Sequence, residues 1–303
     1  MYKQGLVIFF LAFYLVIAIS FAPHAYAAPQ NNDKSVNFPR IKVYADFSNA
    51  SYQTPAQIRE VCSAHHYNLT HYGNIPAMEV SYFIATDDAN KSLLITVRGT
   101  SNIENAMVDV ALKLTPDKKA GISLHNGFAS AAQAIYAEVK PYIKPGYQID
   151  TTGHSLGGAV ALILAMYLDV DHYSMGHVIT FGQPKVTNLT GATKFDALQV
   201  IRVVTQKDLV PLVPPFDPVD YRNIGIYWHL GTEVVMFPNS TYSILRGLNS
   251  MLRATKFTQE PLTENNLQYH QMTVYLSLID KLSKNPKQVP FENNLNIFNL
   301  FGN

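Results

Sequence analysis

The chain has 303 residues, 23 Lys and Arg against 22 Asp and Glu, and a net charge of +1; 48% of its residues are hydrophobic and 15% charged. That balance describes a folded chain with a large core, and it argues against intrinsic disorder and against nucleic-acid binding through a basic surface. A lone cysteine, Cys62, excludes an internal disulfide, so packing must hold the fold.

The first 27 residues read as a secretory signal peptide: Lys3, an apolar stretch from Gly5 to Phe21, then Ala25-Tyr26-Ala27 before Ala28. Cleavage after Ala27 predicts a secreted or periplasmic protein with one domain over 28–303. The apolar stretch is long, which keeps an uncleaved membrane anchor as the alternative. No later run is long and apolar enough to predict a second membrane segment. Residues 28–40 are polar with two prolines and read as a loose lead-in. Residues 54–65 carry helical spacing at Ile58, Val61 and Cys62. Two β-rich runs, 80–86 and 92–97, flank the turn-forming Asp87-Asp88-Ala89-Asn90 and predict an antiparallel hairpin opening the sheet. Residues 126–143 predict a helix with Phe128, Ala132, Ile135 and Val139 on one face.

Beyond this helix, strands are predicted at 147–152, 177–182, 198–205 and 231–237, with helices at 156–168 and 270–282. Strands alternating with helices predict an α/β fold: a mostly parallel sheet, helices on both faces, and the antiparallel hairpin at its N-terminal end. Segments 210–226 and 238–268 read as long and irregular, the kind of insertion that shapes a pocket. The tail from Asn285 shows no legible chemistry.

Gly153-His154-Ser155-Leu156-Gly157 falls where the strand at 147–152 meets the helix from 156. G-x-S-x-G on a strand-to-helix turn is the nucleophile elbow of serine hydrolases. Small residues let the turn close, the serine projects from the sheet edge, and the helix start offers N–H groups to a developing oxyanion. Such a serine needs a base and an orienting carboxylate, in α/β-hydrolases in the order Ser, acid, His, on loops after strands. Asp208 lies three residues beyond the apolar strand at 198–205 and is the acid candidate; Asp217, Asp220 and Glu233 compete less well. Its bland alternative is a turn or cap residue. Downstream histidines are His229 and His270. His270 follows a long loop and opens the last helix, whereas His229 beside Trp228 suits a structural hydrogen bond. His154 suits packing or bonding under the elbow. No metal is expected, since His65-His66 lacks partners at ligand spacing and no H-E-x-x-H occurs.

Several segments together resemble the class 3 (fungal-type) triacylglycerol lipases: Val97-Arg98-Gly99-Thr100-Ser101-Asn102-Ile103, His125-Asn126-Gly127-Phe128, the elbow with Gly158, Thr180-Phe181-Gly182-Gln183-Pro184-Lys185-Val186, Arg202-Val203-Val204 through Asp208-Leu209-Val210-Pro211, and His270. They appear in the family's order over about residues 60 to 282. The resemblance implies the α/β-hydrolase fold and a catalytic triad of Ser155, Asp208 and His270. It also implies an oxyanion hole from Thr100 and the backbone of Leu156, with Asp109 bracing it. No cofactor is implied. Residues 101–110 would form a helical lid with Ile103, Met107 and Val110 as its apolar stripe, although Ala106 stands where many relatives carry a large aromatic. The implied partner is a lipid or ester substrate, with a lipid–water interface as the setting. A phospholipase A1 or feruloyl-type esterase shares this machinery, and a non-catalytic lipid-binding protein is the rival from another class.

Overall fold

The computed structural model describes residues 36–100, 114–214, 226–254 and 267–292. The described residues from Asn37 onward pack into one compact unit. Its first element is a helix, α1 (Phe38–Ala50), where the sequence reading placed the end of a loose lead-in. Asn37 caps it by accepting the Arg40 N–H at 2.9 Å, and Pro39 sits in the first turn, where a missing N–H costs nothing. Phe38, Ile41, Tyr44 and Phe47 anchor α1 by burial. Helix α2 (Pro55–Ala64) follows, closed by a Thr54–Gln57 capping box and burying Ile58 and Cys62 as its spacing predicts.

The strands β1 (Asn68–Ile75), β2 (Val80–Asp87) and β3 (Ser92–Val97) form an antiparallel meander. The predicted hairpin is therefore not the sheet's beginning. β1 is a half-exposed edge strand, and its polar sequence carries no apolar alternation to announce it. Short strands β4 (Leu114–Asp117) and β5 (Ile122–His125) precede helix α3 (Asn126–Val139). Then come β6 (Gln148–His154), α4 (Leu156–Val170), β7 (Met175–Phe181), β8 (Thr187–Asn188), α5 (Leu189–Lys194) and β9 (Gln199–Thr205). The remainder holds β10 (Tyr227–Trp228), β11 (Thr232–Met236), β12 (Thr241–Leu245), α6 (Gly247–Ala254), α7 (Met272–Lys284) and β13 (Lys287–Gln288). Thus β12 and α6 occupy part of the stretch read as irregular, and the tail contributes an edge strand.

Among the described residues the main sheet has the order β1-β2-β3-β6-β7-β9-β11-β12-β13, and β3, β6, β7, β9 and β11 run parallel. A second small sheet, β10-β8-β5-β4, was not foreseen; its strands are too short to leave a periodic signal. Residue alternation along β2 assigns the two faces. Tyr82 and Ile84 join the core built with α3 and α4, while Phe83 stacks on Phe47 of α1, ring centroids 6.0 Å apart. Every residue of α4 from Gly157 to Leu168 is buried, which is why its sequence is apolar all round.

A buried ionic network lies under the loop that follows β9. Arg202 of β9 and Glu233 of β11 are register partners; Arg253 of α6 binds Glu233 Oε1 at 2.7 Å, and Ser250 donates to Glu233 Oε2 at 2.6 Å. Burial works to raise the Glu233 carboxyl, but Arg253 and Arg202 hold it below the usual carboxylate range. Lys185, fully buried, donates to the carbonyls of Leu212 and Pro214, and burial pushes its ammonium down to about 7. His229 bonds the Pro211 carbonyl at 2.7 Å, the structural role its position suggested. These contacts tie residues 211–214 to the sheet just beyond Asp208.

Candidate active site

The parallel strands deliver the candidate residues to one edge. β3 ends at Val97 and leads into Arg98-Gly99-Thr100; β6 ends at His154 and leads into Ser155; β9 ends at Thr205, three residues before Asp208. Carboxyl ends of parallel strands are where open α/β sheets gather ligands and catalytic groups. Ser155 occupies the turn between β6 and α4 with φ 58° and ψ −132°, a strained conformation for a residue with a side chain. The turn is fastened by the Ser155 N–H donating to the Phe181 carbonyl at 2.8 Å. Gly157 makes it possible: a Cβ there would stand 2.6 Å from the Arg98 carbonyl carbon and 2.7 Å from the Gly99 nitrogen. The elbow and the Arg98–Thr100 loop are therefore in backbone contact. Leu156 is the first residue of α4, so its N–H has no acceptor within the helix and stands beside the serine. Thr100 is half-buried at the end of the adjoining loop.

Asp208 is buried and accepts three hydrogen bonds. Val210 N–H donates to Oδ1 at 2.9 Å; His270 Nδ1 at 2.8 Å and the Tyr275 hydroxyl at 2.5 Å both donate to Oδ2. Because a carboxylate only accepts, His270 Nδ1 carries the proton of this bond, and Nε2 is the ring nitrogen left for the serine. His270 lies in a short 3-10 turn, Gln268–His270, just ahead of α7 rather than on the helix itself. Its Nε2 and the Ser155 Oγ are both buried, and neither has a hydrogen-bond partner among the described residues. The structure thus joins the acid to the base and sets the serine at the elbow, with the Ser–His hydrogen bond unmade. Apo sites often show such loose contacts, which tighten around substrate. Asp109 and the 101–110 stripe lie outside the described residues.

Two contributors were not singled out as site residues. Tyr275 lies on the buried face of α7, and its hydroxyl reaches Asp208. Gly182, with φ 58°, passes under the acid–base pair; a Cβ there would lie 2.7 Å from His270 Cε1 and 2.9 Å from Asp208 Oδ2. Gly182→Ala is expected to wedge the pair apart and lower kcat about 10- to 100-fold, as misplacement of about 1 Å does. Ester turnover measured alongside Tm separates this from unfolding; unchanged kcat would show that the pair tolerates the shift.

Residues 94–217 match the family model described as Lipase (class 3). A secreted mono- and diacylglycerol lipase of Fusarium solani is 33% identical over 166 residues, covering 49% of this chain and 47% of the relative. The solved lipase of Rhizopus microsporus var. chinensis superposes with a TM-score of 0.56 at 26% identity, over 65% of this chain and 74% of that one. The Lip2 lipase of Yarrowia lipolytica gives a TM-score of 0.60 at 25% identity, over 77% and 93%. The chain spans about half the length, 47%, of the Fusarium relative. With the elbow, the sheet order and these matches in hand, the chain is similar to the class 3 lipases over residues 94–217 and shares their α/β-hydrolase fold.

Proposed function

We propose that the chain is a serine ester hydrolase that cleaves the carboxylic esters of acylglycerols through an acyl-enzyme. Ser155 attacks the ester carbonyl. His270 takes the hydroxyl proton on Nε2 and passes it to the leaving alcohol, while Asp208 fixes the tautomer and stabilises the imidazolium. The backbone N–H groups of Thr100 and Leu156 receive the oxyanion, each worth on the order of 3 kcal/mol to the transition state. Water, deprotonated by His270, then releases the fatty acid. The steps require no cofactor.

The observation that carries this reading is the His270–Asp208 bond at 2.8 Å, which commits Nδ1 to the acid, together with a buried His270 Nε2 and a strained Ser155 whose Oγ has no hydrogen-bond partner among the described residues. Residues 1–27 serve as a cleaved signal peptide and 28–303 as a single catalytic domain, with a lipid–water interface as the place of action. The presence of a secreted lipase among the relatives supports export. Among the described residues no helix is long and apolar enough to cross a membrane.

A panel of emulsified tri-, di- and monoacylglycerols, phosphatidylcholine and a feruloyl ester, run above and below the solubility limit, tests the reading. Acylglycerols are expected to give the largest kcat/KM. A preference for the phospholipid sn-1 ester or the feruloyl ester would reassign the substrate within the same chemistry. No turnover of any ester, with Ser155 unlabelled by a fluorophosphonate, would leave only the lipid-binding reading.

A further inference from the structure

Behind the elbow runs a chain of hydrogen bonds that the triad and oxyanion hole do not use. His154 Nε2 lies 2.7 Å from the backbone oxygen of His270. A carbonyl can only accept, so Nε2 carries a proton. His154 is buried, and burial together with the neighbouring His270 pushes its pKa well below the ordinary value, so its ring is neutral and Nδ1 is bare. Tyr52 Oη, 2.8 Å from Nδ1, must therefore donate. The same hydroxyl lies against Gly99, where a Cβ would stand 2.4 Å from Tyr52 Oη. Both hydrogen bonds then have a fixed direction, Tyr52 O–H to His154 Nδ1 and His154 Nε2–H to the His270 carbonyl, and the contact of the Tyr52 hydroxyl with Gly99 extends the line to the neighbouring loop.

The two ends of this chain are the parts of the site that must keep a constant separation. Gly99 immediately precedes Thr100, and the His270 carbonyl belongs to the base itself. The middle of the chain, His154, is covalently joined to Ser155, and its ring packs on that of His270 with centroids 4.4 Å apart. We propose that Tyr52 and His154 are positioning residues, one directed hydrogen-bond chain that holds the oxyanion loop, the nucleophile elbow and the backbone of the base in register. The inference rests on the reading of Ser155, Asp208 and His270 given above. It also gives α1 a purpose beyond core burial, since the helix ends at Ala50 and delivers Tyr52 two residues later. Tyr52 leaves part of its side chain at the surface while its hydroxyl is bonded inward, which a residue needed only for apolar packing would not require.

The test is Tyr52→Phe, which keeps the ring and removes the hydroxyl that bonds His154 and abuts Gly99, with His154→Gln as a second variant. Active sites are first counted by fluorophosphonate titration, so that every rate refers to folded, competent enzyme. On p-nitrophenyl butyrate, kcat per titrated site is expected to fall about 10- to 100-fold with KM within about twofold. Affinity for a trifluoromethyl ketone, which forms the tetrahedral adduct, is expected to fall by the same factor as kcat/KM. A purely structural role would lower Tm and the titratable fraction while leaving kcat per site and the ketone affinity unchanged, and that result overturns the proposal. Should Tyr52→Phe fail to fold, His154→Gln is judged by the same two readouts. Wild-type enzyme that is not labelled at Ser155 would instead sink the triad reading, so the two failures are distinguishable.

Discussion

Ser155→Ala is expected to lower kcat on p-nitrophenyl butyrate by on the order of a million-fold, the loss typical when a triad nucleophile is removed. The residual rate would come from oxyanion donors and binding alone. The protein should not lose stability. Alanine meets the same backbone strain at φ 58° as serine, and the substitution deletes a buried hydroxyl that has no hydrogen-bond partner among the described residues. Burying such a group unpaired costs about 1–3 kcal/mol, so Tm is expected to stay level or rise. Steady-state kinetics and a thermal melt on the same preparation check both halves. Activity within tenfold of wild type would remove Ser155 from the mechanism; collapse of the fold would show that the hydroxyl is structural.

The pattern of what the sequence disclosed follows from how each feature is encoded. The parallel strands β7 and β9 carry short apolar runs, and α4 is apolar all round, so these announce themselves. The elbow is legible because the close contact between Gly157 and the Arg98–Gly99 backbone admits only glycine. Asp208 and His270 were found by chain order, and the structure brings them into a 2.8 Å bond. Helix α1 was missed, its first residues having been read into the polar lead-in; its stability comes from Phe38, Ile41, Tyr44 and Phe47 packing into the fold, which is tertiary information. β1 and the short strands of the second sheet were missed for the opposite reason. They gain stability from neighbouring backbone rather than from an apolar pattern of their own.

The polar residues that serve the site at one remove were the least legible. Tyr275 and Tyr52 are hydrogen-bond donors disguised as core or surface aromatics, and nothing in their spacing says which end of the ring matters. The ionic network under residues 211–214 is similar. Lys185, Arg202, Glu233 and Arg253 come from four separate segments, and only the pairing of β9 with β11 brings Arg202 beside Glu233. Sequence reasoning placed Glu233 in a strand and stopped there. Its partners, Arg253, Arg202 and Ser250, engage it in the buried network.

Asp208→Asn is expected to lower kcat about 10,000-fold while leaving the fold near native. The argument is one of proton bookkeeping. Oδ2 accepts from both His270 and Tyr275, and Oδ1 accepts from the fixed backbone N–H of Val210. An amide has one oxygen and one NH2. If its oxygen keeps Val210, the NH2 faces His270 and donates to Nδ1, so the imidazole proton moves to Nε2 and the base can no longer accept from Ser155. If the oxygen instead keeps His270 and Tyr275, the NH2 meets the Val210 N–H, donor against donor, in a buried site. Tyr275 can rotate its hydroxyl, whereas Val210 cannot move its backbone, so the first arrangement prevails and the wrong tautomer results. Nitrogen-15 NMR of the His270 ring reads the tautomer directly, and KM should change little. A variant that keeps the proton on Nδ1 and still loses activity would show that the charge of Asp208, rather than its orientation of His270, supports turnover. A variant with kcat within tenfold of wild type would mean that another acid orients the base.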